Sequence, residues 1–194
     1  ETYASSQQGI IPLSEVEIGK NYAVLITTNA GLWRYKIGDT VRFTSINPYR
    51  IKVSGRTKHH INVFGEELII ENAEDALKNV CKKTKAEIVD FTGAPIFMKG
   101  REKGAHEWLI EFKKPPKDIN LFNELFDNAL KSLNSDYEAK RYNNLTLNKP
   151  TIHIARTQLF YDWLKLHDKL GGQHKIPRLS NTRDYIDELL KLNK

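Results

Sequence analysis

Residues 31–65 constrain the fold more than any other stretch, because their side chains alternate between apolar and polar with a period of two. Thr40-Val41-Arg42-Phe43 and Tyr49-Arg50-Ile51-Lys52-Val53 are short alternating runs joined across Asn47-Pro48. Runs so close together pair as antiparallel neighbours, since a parallel return needs a dozen or more connecting residues. Ahead of them Gly31-Leu32-Trp33-Arg34-Tyr35-Lys36-Ile37 forms an aromatic-basic strand over 32–37 that is expected to end in a turn at Gly38-Asp39. Behind them Gly55-Arg56-Thr57-Lys58 opens a new segment. A carboxylate such as Asp39, held on a tight turn, accepts hydrogen bonds from a pair of hydroxyls like those of a ribose. Cations at Arg56 and Lys58 can meet phosphates. Trp33 and Tyr35 fit either a platform for a base or the filling of a β core.

The remaining chain divides by punctuation and period. Residues 1–20, with Pro12 and Gly19, read as loop and turn, and 22–28 as a buried strand closed by Asn29-Ala30-Gly31. Asn72 is expected to cap a helix whose apolar stripe is Ala73, Ala76, Leu77, Val80 and Cys81. Cys81 lies on that stripe, so it reads as a packed thiol rather than a nucleophile. Strands follow at 86–94 and 105–112, the second half-buried through Trp108, Ile110 and Phe112. Pro115-Pro116 breaks the chain before a helix over 119–133 whose core face runs from Leu121 to Leu133. A short helix over 134–141, a strand at 151–155 and helices at 159–167 and 183–192 complete the chain. The predicted class is α+β: an antiparallel β segment, then a small sheet flanked by helices. The boundary is expected between residues 54 and 55, giving domains 1–54 and 55–194.

Composition excludes several classes. The chain has 194 residues, enough for one or two cores, and its apolar content is ordinary. It has no apolar run near the roughly 20 residues of a membrane span, and no basic-then-apolar leader. The single Cys81 excludes an internal disulfide framework and fits a reducing compartment, so the cytoplasm is the expected location. The net charge of +6 comes from dispersed residues, which fits a solvated surface better than a nucleic-acid interface. Six histidines are scattered without metal-site spacing, so no metal site built by the protein is expected.

Two motifs identify the chain as resembling a known family. Tyr35-Lys36-Ile37-Gly38-Asp39 resembles the Tyr-Arg-x-Gly-Asp motif, and Gln173-His174-Lys175-Ile176-Pro177-Arg178 the Gln-x-Lys-x-Pro-Arg motif, of the auxin-responsive-promoter family of acyl acid amido synthetases. This is a branch of the adenylate-forming superfamily. The stretch Asn134-Ser135-Asp136-Tyr137-Glu138-Ala139-Lys140-Arg141 is similar to the family as well. The resemblance implies that Asp39, with Tyr35 and Gly38 beside it, holds the ribose of ATP. It implies a hinge at Arg56 and Lys58 between a large domain and a C-terminal lid, and Lys175 as the mobile catalytic group. Gln173 would orient a bound group, and Arg178 would pair with an acid.

The implied function is an ATP-dependent ligase that adenylates a carboxylic acid and transfers the acyl group to an amine, in particular an amino acid. ATP would bring its own Mg²⁺. Because the only methionine is Met98, the chain is expected to be the C-terminal portion of a longer enzyme, inactive without its N-terminal domain. Two alternatives compete: an acyl-CoA synthetase using coenzyme A as acceptor, and a non-catalytic basic binding module. The expected partners are the acid and the amine, with neither nucleic acid nor membrane.

Overall fold

The computed structural model describes residues 2–4, 9–56, 60–100, 102–144, 146–171 and 175–194, the side chains of 2–4, 55, 56 and 144 excepted. It is of mixed α+β class and divides into two compact units, Glu1–Lys58 and His59–Lys194.

The first unit is one antiparallel sheet. Its strands are β1 (Thr2–Ala4), β2 (Ile10–Ile11), β3 (Asn21–Ile26), β4 (Tyr35–Ile46) and β5 (Tyr49–Arg56), in the spatial order β2-β1-β3-β4-β5. Part of what reads as a terminal loop is therefore strand: β1 pairs with both β2 and β3. A single face of the sheet is sealed by Val16, Tyr22, Val41 and Phe43, with Ile11 and Val24 against them. Tyr22 and Phe43 meet edge to face at 5.9 Å, and the Tyr22 hydroxyl accepts the Glu17 N–H at 2.9 Å, so a buried ring keeps its polar tip satisfied.

The second unit opens with a small ladder, β6 (His60–Ile61) against β7 (Leu68–Ile69), and continues directly into α1 (Ile70–Thr84). Asn72 is not the cap of α1. It sits in the first turn and accepts the Ile69 N–H at 3.3 Å, while its amide donates to the Leu133 carbonyl at 3.2 Å. Then come β8 (Glu87–Ile96), β9 (Ala105–Lys114), α2 (Ile119–Leu133), α3 (Ser135–Arg141), β10 (Thr151–Ala155), α4 (Leu159–Leu166) and α5 (Asp184–Leu192). The helix after Pro115-Pro116 has the predicted bounds because Asp118 caps it, accepting the Asn120 and Leu121 N–H groups at 2.8 and 3.1 Å.

The sheet of this unit runs β10-β9-β8, with β9 antiparallel to β8 and parallel to β10. Both faces of β9 are covered, which alternation alone did not anticipate. Trp108, Ile110 and Phe112 point to one side and pack with α1 and α2, Trp108 edge-on to Phe126 at 4.9 Å. Leu109 points to the other side and packs with Leu159, Phe160 and Trp163 of α4 and Ile186 and Leu189 of α5. Burying an aromatic or aliphatic side chain contributes about 1.5–3 kcal/mol, against a spread of about 0.7 kcal/mol in helix propensity among ordinary residues. Packing against β9 therefore decides where these helices lie. Leu121 and Leu133, expected on the core face of α2, are more than a third exposed.

Charged groups are buried with partners. Asp127 is almost fully buried and is held by Arg141 through two bonds of 2.8 Å, by the Tyr137 hydroxyl at 2.9 Å and by Lys131 at 2.7 Å. Glu66 is fully buried, meets the His106 ring nitrogen at 2.8 Å and accepts the Phe64 N–H at 2.7 Å. Burial would raise both carboxyls, but Arg141 and its neighbours hold Asp127 below the ordinary range, and His106 with the Phe64 N–H does so for Glu66. A depressed folded value means stability that is present above the unfolded pKa of about 4 and is lost as pH falls through the lower folded value. Chemical denaturation of the chain is thus expected to show little pH dependence from these groups above about pH 5 and a steep fall below about pH 4. A stability flat from pH 6 to pH 2.5 would contradict this account.

Cys81 packs at the rim of the α1 face, and burial pushes its thiol up, as a structural cysteine should behave.

Candidate functional site

Gly38-Asp39 does not turn the chain; it bulges within β4, which runs unbroken from Tyr35 to Ile46. Ala23 pairs with Thr40 and Leu25 with Lys36, so Val24 alone faces Ile37, Gly38 and Asp39. The excess residues are absorbed at Gly38, whose φ of +85° lies in the left-handed region open to glycine. A bulge bends the strand and re-aims the side chain beside it, which is how a half-buried Asp39 comes to sit inside the continuous strand β4. On the other side of β4, Asp39 pairs with Arg56 of β5, bringing two of the predicted residues to neighbouring positions. The Arg56 side chain, and all of Lys58, lie outside the described residues.

The two aromatic side chains are not core. Trp33 is 78 % exposed and Tyr35 53 % exposed, with Leu32 and Ile37 also open. Of the alternatives left by the sequence, the filling of this unit's β core is excluded. Trp33 precedes β4 rather than lying in a strand, since pairing begins at Tyr35.

The second candidate segment surrounds Lys175 in the other unit. Gln173 and His174 lie outside the described residues, and Lys175 itself is exposed. Beyond it the chain is fastened to the free edge of β8. The Thr92 hydroxyl donates to the Pro177 carbonyl at 2.7 Å, the Gly93 N–H donates to the Arg178 carbonyl at 2.9 Å, and the Ser180 N–H donates to the Gly93 carbonyl at 3.0 Å. The result is a parallel bridge between Gly93 and Leu179. Ile176 is buried in the core on the α4–α5 side of the sheet, and Leu179 in the core on the α1–α2 side. The segment thus straddles the sheet edge with one apolar anchor on each face.

Arg178 pairs with acids, as expected. Its guanidinium bonds Glu74 of α1, lies 3.5 Å from Asp90 and stands 5.1 Å from the centre of the Phe91 ring. Gly93 must be glycine for a different reason from Gly38: a Cβ there would lie 2.9 Å from the Trp108 ring. Thr92, Gly93 and Asp90 are the residues that sequence reasoning missed. Their partners lie 85 or so positions away in the chain, and nothing local marks them.

Among the described residues no group of three or more His, Cys, Asp or Glu side chains could hold a metal ion. His106, His153 and His167 each meet a carboxylate, and His60 meets Asn181. Likewise no helix of the described residues is long and apolar enough to cross a membrane. A depression of about 280 Å³ beside Trp163, lined also by Lys169, Tyr185 and Glu188, contains none of the predicted site residues.

Comparison with known proteins gives consistent matches. Residues 71–184 match the GH3 family C-terminal domain and residues 1–56 the GH3 family central domain. The chain is 28 % identical over 179 residues to a jasmonoyl–L-amino acid synthetase of Oryza sativa subsp. japonica, covering 88 % of the chain and 30 % of that protein. It is 21 % identical over 182 residues to an indole-3-acetic acid-amido synthetase of Arabidopsis thaliana, covering 87 % of the chain and again 30 % of the relative. The chain thus spans about a third of the length of these relatives. In structure it resembles the GH3.15 acyl acid amido synthetase, with a TM-score of 0.73 at 21 % identity over 95 % of the chain and 36 % of that protein.

Proposed function

The chain belongs to the GH3 family, and from that premise we propose that it is the C-terminal part of an ATP-dependent acid–amino acid ligase. The observation that carries the reading is the fastening of the Lys175 segment to the sheet of its unit. A lysine whose following backbone is tied into that sheet travels with the whole body when the body rotates.

In the proposed reaction a substrate carboxylate oxygen attacks the α-phosphorus of ATP. The new O–P bond forms as the bond to the β-phosphate oxygen breaks and pyrophosphate leaves; Mg²⁺, carried by the phosphates of ATP, would offset their charge. A carboxylate is a poor electrophile, and the mixed anhydride has AMP as a good leaving group. Asp39 accepts the two ribose hydroxyls. The bulge supports this role, because it presents a half-buried carboxylate beside a glycine without a Cβ in the way, with the open faces of Trp33 and Tyr35 nearby in sequence for stacking. Lys175 stabilises the charge that grows on the phosphates as pyrophosphate departs. Residues 55–58, with Arg56 and Lys58, act as the hinge, and the lid begins at about residue 55. After rotation the amine of an amino acid attacks the acyl carbon and AMP is released.

The test supplies the complete enzyme with ATP, Mg²⁺ and a panel of carboxylic acids, with either amino acids or coenzyme A as acceptor. Mass spectrometry is expected to find an N-acyl amino acid together with AMP, and no thioester. Thioester formation in its place would transfer the chain to the coenzyme A reading. Salt-sensitive binding of RNA by the isolated chain, without any acid-dependent pyrophosphate release by the complete enzyme, would support the binding-module reading.

A further inference from the structure

We propose that Thr92 is a positioning residue for Lys175, so that the edge of β8 sets the rate of adenylation without touching a substrate; this rests on the role of Lys175 proposed above. The Thr92 side chain is 1 % exposed and its hydroxyl has one described partner, the Pro177 carbonyl at 2.7 Å. That bond is not part of the ladder. The bridge between Gly93 and Leu179 already closes the edge with two backbone hydrogen bonds, and Ile176 and Leu179 already anchor the segment by burial. What the hydroxyl adds is a constraint two residues from Lys175, on the side of the segment nearest the lysine, where the ladder has not yet begun.

The geometry explains why a constraint is needed at that point. Lys175 itself is exposed and its stem has four rotatable carbons. On the downstream side the described chain offers a firm reference for its position. Pro177 fixes its own φ, so holding its carbonyl orients the peptide leading back to Ile176 and Lys175. In a reaction that depends on placing one charge against a phosphate, an error of about 1 Å costs up to roughly 100-fold in rate. Arg178, pinned by Glu74, Asp90 and the Phe91 ring, holds the far side of the same segment.

The experiment compares Thr92→Val, Thr92→Ser and Lys175→Ala in the complete enzyme, measuring the two half-reactions separately. Adenylation is read as acid-dependent pyrophosphate release, and transfer as conjugate formation from a pre-formed acyl-adenylate and an amino acid. Thr92→Val keeps shape and loses the donor. It is expected to lower kcat for adenylation about ten-fold or more, with KM for ATP and acid within two-fold and transfer within two-fold of wild type. Thr92→Ser restores the donor and is expected to recover most of the rate. Thermal unfolding of each variant accompanies the kinetics. If Lys175→Ala abolishes adenylation while Thr92→Val leaves it intact, the positioning role falls and the lysine role stands. If Thr92→Val slows both half-reactions equally, the bond is merely structural and the proposal is overturned. If Lys175→Ala retains adenylation, the reading beneath it falls as well.

Discussion

Lys175→Ala in the complete enzyme is expected to lower acid-dependent pyrophosphate release by about two to three orders of magnitude, the range seen when a single preorganised transition-state donor is removed. The fold should be untouched. Lys175 is exposed, and the anchors that hold its segment, Ile176 and Leu179, are unchanged by the substitution. An unaltered unfolding temperature with activity lost is therefore the expected pair of results. Transfer from a pre-formed adenylate should survive, because the amine attacks a carbonyl after pyrophosphate has gone. Turnover at the wild-type rate would end the case for this lysine.

The largest effect on stability is expected at Arg141→Met. The substitution leaves the Asp127 carboxylate buried with only the Tyr137 hydroxyl and Lys131 to satisfy it. Breaking one side of a buried pair costs about 3–5 kcal/mol, whereas replacing both partners by apolar residues of similar volume is often close to neutral. Asp127→Leu combined with Arg141→Met is thus expected to recover more than half of the loss measured by chemical denaturation. The single variant should also lose less, relative to wild type, at acid pH, since a protonated Asp127 no longer needs the guanidinium. If the two single losses simply add in the double variant, the residues are not acting as a pair. The arrangement also explains the Asn134-Ser135-Asp136-Tyr137-Glu138-Ala139-Lys140-Arg141 stretch. Asn134 caps α3 by accepting the Tyr137 N–H at 2.7 Å, and Tyr137 and Arg141, four apart on one helical face, both reach Asp127.

Much of this was legible in the sequence, and the exceptions share a cause. The helix over Ile119–Leu133 was readable because a Pro-Pro break, a capping aspartate and an apolar stripe all act within a few residues. The paired strands near Asn47-Pro48 were readable because alternation and a short connection leave only an antiparallel pair. In the sequence Gly38-Asp39 reads as a turn, yet it is a bulge. A glycine that reverses the chain and a glycine that lets a strand swallow extra residues look alike until the partner strand is known, and here the partner is β3. Glu66, Glu107, Glu111 and Asp127 gave no sign of being buried. A carboxylate reads as surface unless its partner is known, and His106, Arg183, the Gln158 N–H and Arg141 lie 14 or more positions away from the carboxylates they meet. Lys175 stands out in the sequence by its motif, while Thr92 and Gly93, which fasten the segment after it, are unmarked there for the same reason.

The strap over β8 has a consequence for damaged copies of the protein. Without residues 175–180, Thr92 and Gly93 would present bare hydrogen-bonding groups, with the sockets of Ile176 and Leu179 lying empty on either side. An uncovered strand of that kind recruits whatever extended chain it meets. Loss of the chain from the lysine onward would therefore leave behind a self-adhesive remnant.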